Sequence, residues 1–126
     1  MTKIVFLAAA AALIATPVLA DTAAQLSIAQ THAGLAAKAT AIDGVHMHLH
    51  HALNCLVGPT GEGFDATPGN PCAKAGNGAI PDSADAAQKT KLATAVASAK
   101  SGIAATDLAA AQKDATATAD AIGAAK

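Results

Sequence analysis

Apolar positions divide the chain into three stretches of different character. The first, Ile4 to Ala15, is uninterrupted and follows Lys3; Pro17 closes it and Val18-Leu19-Ala20 has the small-x-small form of a signal-peptidase site. The pattern predicts a cleavable signal over residues 1–20 and a mature chain from Asp21, because the run is shorter than the ~20 residues a membrane span needs. The second kind of stretch occurs twice, over residues 22–57 and 83–125. There, Leu, Ile and Val recur at helical spacing in a background of alanine, lysine and glutamine, with no strand-type alternation. Between the two lie residues 58–82, where six Gly and four Pro exclude both helix and central strand and predict a connecting loop.

Each helical region carries an internal break that predicts a hairpin. In the second region, Leu92, Val96, Ala99 and Ile103 share one phase, whereas Leu108, Ala115 and Ile122 follow a shifted one. Thr106 stands between them as an N-cap, and Asp82 or Ser83 caps the start of the region. The first region has a similar string around Gly34 to Thr40. Against a hairpin there, Ile28, Leu35, Ile42, Leu49 and Leu56 recur at strict seven-residue intervals, as one continuous helix would have them. Four short antiparallel helices bury a thin Leu/Ile/Ala stripe better than two long ones. The expected fold is therefore all-α, a four-helix bundle of two helical hairpins within residues 21–126, joined by the long Gly/Pro-rich loop.

Composition narrows the chemistry. Of 126 residues 38 are alanine, so much of the 52% hydrophobic fraction buries little area per residue. Arginine, tryptophan and tyrosine are absent and the formal net charge is −1, which removes both phosphate neutralisation and base stacking and so excludes a nucleic-acid binder. No His-Glu-x-x-His, nucleophile elbow or other catalytic motif is present, and the expectation is a protein that is not an enzyme.

Histidine remains. Four of the five lie within six residues, in Asp43-Gly44-Val45-His46-Met47-His48-Leu49-His50-His51. On a helix, Val45, Leu49, Ala52, Leu53 and Leu56 form the buried stripe. Asp43, His46, Met47 and His50 gather on one flank, His48 and Cys55 on the other, and His51 points nearly away. His46 and His50, at i and i+4, are close enough to chelate one ion. Asp43 lies a turn back as a third ligand or as an acceptor that fixes an imidazole tautomer, and Met47 offers a soft thioether. His48, His51 and His32 complete the candidate set. His32 reaches the cluster only in a hairpin that turns near Ala39; in one continuous helix it stands 14 residues from His46, about 21 Å away.

Cys55 and Cys72 form an even pair, which in an exported chain reads as a disulfide. Thiolate metal ligands are the other reading, and their spacing matches no zinc motif. A disulfide would tie Cys72 beside the C-terminal end of the histidine helix and make the loop a stapled lid beside the histidine site, mainly a structural cover, with Phe64 covering one end of the bundle. Glu62, Asp65 and Asp82 are the loop's candidates for a hard cation, without EF-hand spacing.

The run His46-Met47-His48-Leu49-His50-His51, Thr31-His32-Ala33 and the alanine-rich helices together resemble the small exported histidine-rich helical metal-binding proteins of bacteria. The resemblance implies a four-helix bundle that binds copper or another divalent ion as a buffer or chaperone. The second half of this chain has no histidine and the loop carries a Cys pair, which favours one or two defined sites over storage. The leading function is thus a periplasmic or secreted metal-binding protein for copper, nickel or zinc, with no stable membrane span after signal cleavage. The alternative is a helical interaction or ligand-binding bundle that docks on another exported protein or holds haem non-covalently.

Overall fold

The computed structural model describes residues 19–126. The expected signal segment therefore lies almost wholly outside the described residues. The described chain is all-helical: α1 (Thr22–Lys38), α2 (Ile42–Val57), the single turn α3 (Ala79–Asp82), α4 (Ala86–Ala104) and α5 (Leu108–Ala125). None of these helices is long and apolar enough to cross a membrane.

Local chemistry sets the helix ends. Asp21, Asp85 and Asp107 are the N-caps of α1, α4 and α5, and each side chain accepts from backbone N–H groups of the first turn. Asp107, rather than the expected Thr106, caps α5, because its carboxylate reaches Ala110 N at 2.8 Å. Asp85 likewise displaces Asp82 and Ser83 from the expected cap of α4. Asp82 belongs to α3 and accepts from Gln25 and Asn77, while the Ser83 hydroxyl donates to Gln88. At α2 no side chain caps the N-terminus; Asp43 stands in its first turn, where a negative charge opposes the helix dipole favourably.

Three residues, 39–41, separate α1 from α2, and three more, 105–107, separate α4 from α5. Connections this short force antiparallel neighbours. Both helical regions are therefore hairpins, and the seven-residue repeat from Ile28 to Leu56 does not make one continuous helix. The long helices touch in the cyclic order α1–α2–α4–α5, with α1 closing the ring on α5.

The buried face of α1 differs from the one its large apolar residues mark out. Gln25, Leu26, Ala29, Ala33 and Ala36 are buried, whereas Leu35 is 45% exposed. Helices α4 and α5 likewise bury mostly alanine, with Leu92 and Ile122 as their only large apolar buried residues. Helix α2 buries the whole of its expected stripe, Val45, Leu49, Ala52, Leu53 and Leu56. Of the stripes expected on α4 and α5, Leu92, Ala99, Ala115 and Ile122 are buried while Val96, Ile103 and Leu108 pack against the core. The helices approach closely because three of them present small side chains and α2 supplies the bulk. Gly102 of α4 shows how close: a Cβ there would stand 2.5 Å from Leu49 Cδ1 and 3.1 Å from Asp114 Cβ.

The loop after α2 is fastened throughout. A disulfide joins Cys55 to Cys72, Glu62 pairs with Lys100 at 2.9 Å, and Ala75 O accepts from Asp21 N. Fully buried Gln25 donates to Asp82 and accepts from Gly78 N. Gly58 and Gly78 both have positive φ, and their backbones touch: a Cβ on Gly58 would come within 2.9 Å of Gly78 N. The three acidic residues weighed as hard-cation ligands go separate ways, Glu62 to Lys100, Asp65 to Thr67 N and Asp82 to Gln25 and Asn77.

Candidate metal centre

The turn at 39–41 folds α1 back on α2 so that residues equidistant from Thr40 face each other. His32 and His48 are such a pair, and His51 follows one turn beyond His48 on the same face of α2. His32, His48 and His51 each present a ring nitrogen, and the three nitrogens all lie within 4.8 Å of one another. The group is close enough to hold a metal ion.

The His32 and His48 rings are joined through Nδ1 to Nδ1 at 3.2 Å. Two imidazole nitrogens sharing a tetrahedral ion at bond lengths of ~2.0–2.1 Å stand about 3.3–3.4 Å apart, so this separation already suits a shared ion. His51 packs edge-on to both rings, with centroids 4.7 Å from His32 and 5.9 Å from His48. Its Nε2 lies 2.6 Å from the Pro68 carbonyl. A carbonyl only accepts, so Nε2 carries the proton and the neutral ring is left with its lone pair on Nδ1. That Nδ1 is buried and has no hydrogen-bond partner. A buried acceptor without a partner is costly, and here it adjoins two further imidazoles.

Charge reinforces the arrangement. Burial lowers the pKa of His32 from its ordinary value, and the nearby His51 and His48 push it the same way. His48 is lowered too, by burial first and then by His51. All three rings are half-buried, and three imidazoles this close resist being charged together. The neutral form is the one that ligates a metal.

The remaining expected ligands lie elsewhere. His46, at i−4 from His50, turns to the second hairpin and its Nε2 donates to Ala105 O at 2.9 Å. His50 has a buried Nδ1 without a partner. Asp43 is exposed and Met47 is 43% exposed; neither belongs to the group of converging nitrogens. The structure thus gathers His32, His48 and His51 and does not bring His46, His50, Asp43 or Met47 into that group. His51, expected to point nearly away from the protein, is covered instead, because residues 65–69 of the loop return over it. Both cysteines are consumed in the disulfide and no free thiol remains among the described residues. No family model, curated protein or solved structure matches the chain.

Proposed function

We propose that this chain is an exported metal-binding protein of the periplasm or extracellular space, a buffer or chaperone holding one transition-metal ion on His32, His48 and His51. The scaffold in this reading is a four-helix bundle of two hairpins. The observation that carries it is the His51 ring: its proton is fixed on Nε2 by Pro68, and its buried Nδ1 lacks any partner beside two more imidazoles. Imidazole donors suit copper, nickel and zinc, and the affinity order of such sites puts Cu(II) first. The intramolecular disulfide supports an oxidising compartment, and α1 begins directly after the expected cleavage point, with Asp21 as its cap. The role is binding, with no reaction assigned.

The test is titration of the purified Asp21–Lys126 chain, disulfide intact, with Cu(II), Ni(II) and Zn(II) against a chromophoric chelator. One ion per chain is expected, with Cu(II) the tightest. His48→Ala and His51→Ala should each lose more than the about 10–100-fold that removal of an outer-shell partner costs, while His46→Ala changes affinity little. Absence of stoichiometric binding, or a loss confined to His46→Ala and His50→Ala, refutes this assignment.

A further inference from the structure

Residues 65–72 pass over α2 as a strap and are tied to it at His51, Asn54 and Cys55. His51 Nε2 donates to Pro68 O. Asn54, three residues further along the same helix and fully buried, grips the strap on both sides of that carbonyl. Its Nδ2 donates to Asp65 O at 2.6 Å and to Gly69 O at 2.8 Å, and its Oδ1 accepts from Asp65 N at 3.0 Å. The next residue, Cys55, fixes the far end of the strap through Cys72. Both amide protons of Asn54 are therefore used on main-chain carbonyls that flank Pro68, and none on a histidine.

A side chain that only closed the loop would need one such bond. Three bonds to Asp65 and Gly69, on either side of residues 66–68, fix where the Pro68 carbonyl stands, and that carbonyl decides which nitrogen of His51 is protonated. Partners of this kind orient a ligating imidazole and raise its basicity. Resting on the metal assignment above, we propose that Asn54 is a positioning residue of the histidine centre. Acting through the Pro68 carbonyl, it holds His51 with the proton on Nε2 and the Nδ1 lone pair presented to the ion. The Cys55–Cys72 disulfide serves the same end by anchoring the strap.

The hydrogen bond has a signature that needs no metal. In the wild-type protein the His51 Nε2–H proton gives a downfield, exchange-protected NMR resonance. In Asn54→Ala that resonance is lost, and affinity for Zn(II), measured by chelator competition, falls about 10–100-fold with helical circular dichroism unchanged. The double variant Cys55→Ser/Cys72→Ser, which loosens the strap from its other end, gives the same two changes and serves if Asn54→Ala does not fold. A folded Asn54→Ala that keeps the resonance, or that binds Zn(II) within about twofold of wild type, overturns the proposal. A wild type that binds no ion, while Asn54→Ala still loses the resonance, overturns the metal assignment alone and upholds the positioning of the ring.

Discussion

The protons of three imidazoles decide what the site can accept. His51 has its proton committed to Pro68, but His32 and His48 share one contact through two Nδ1 atoms. One of these two must carry its proton on Nδ1 to make that bond, and it must move the proton to Nε2 before both nitrogens can ligate. A metal ion held there would replace a hydrogen bond between rings that already stand at ligand separation. The lowered pKa values of His32 and His48 also tie stability to pH. Below the ordinary histidine value of about 6.5, the unfolded chain takes up protons that the folded protein does not. Stability is then fully present above that pH and declines as pH falls toward the lowered folded values. Thermal scans of the metal-free protein should show the melting temperature dropping between pH 7.5 and 5.5, a window above the ordinary range of carboxylates. The double variant His32→Ala/His48→Ala should flatten that slope; a melting temperature independent of pH in the wild type would contradict it.

Among the elements, the breaks between helices were legible and their chemistry less so. A phase shift locates the second hairpin turn, since a helix cannot change its buried face without interruption; the first rests on a similar string around Gly34 to Thr40, against the unbroken seven-residue repeat of its large apolar residues. Alanine blurs the rest. On α1 the large residues Ile28 and Leu35 mark out one face, yet Ala29, Ala33 and Ala36 fill most of the core face beside Leu26 and Gln25, because small side chains let the helices approach closely. The histidine site was legible in part, since helical spacing singles out His46 with His50, whereas the ring nitrogens that converge belong to His32, His48 and His51. Its location on α2 follows from the clustering, and the hairpin turn places His32 opposite His48. The cover over His51 does not follow, since it depends on a loop that returns 17 residues later in sequence to the face it left. Capping offers a direct check on the element ends. Asp107→Ala should cost about 0.5–2 kcal/mol in chemical denaturation, whereas Thr106→Ala, which replaces a residue outside the cap, should leave the unfolding midpoint nearly unchanged. Equal losses would return the cap to Thr106.

For the whole molecule, stability leans on close alanine packing and a loop fastened at several points. Removing the disulfide frees a loop whose ends are separated by 17 residues and should cost about 3 kcal/mol in the chain-entropy view. Cys55→Ser/Cys72→Ser should therefore unfold at a distinctly lower denaturant concentration while keeping its helical content; an unchanged midpoint would show that the other fastenings suffice. The contact between Gly58 and Gly78 carries a further consequence. A chain segment that departs and re-enters at one point spans no distance, so its length is not set by any gap between the hairpins. Excising residues 59–77 and sealing the two glycines together would keep α2 joined to α3 while removing the strap, the sulfur link and the carbonyl over His51. The histidine-bearing helices and the strap over His51 thus occupy separate lengths of chain, and a strap of different sequence would change the surroundings of His51 without redesigning the helices that carry the three histidines.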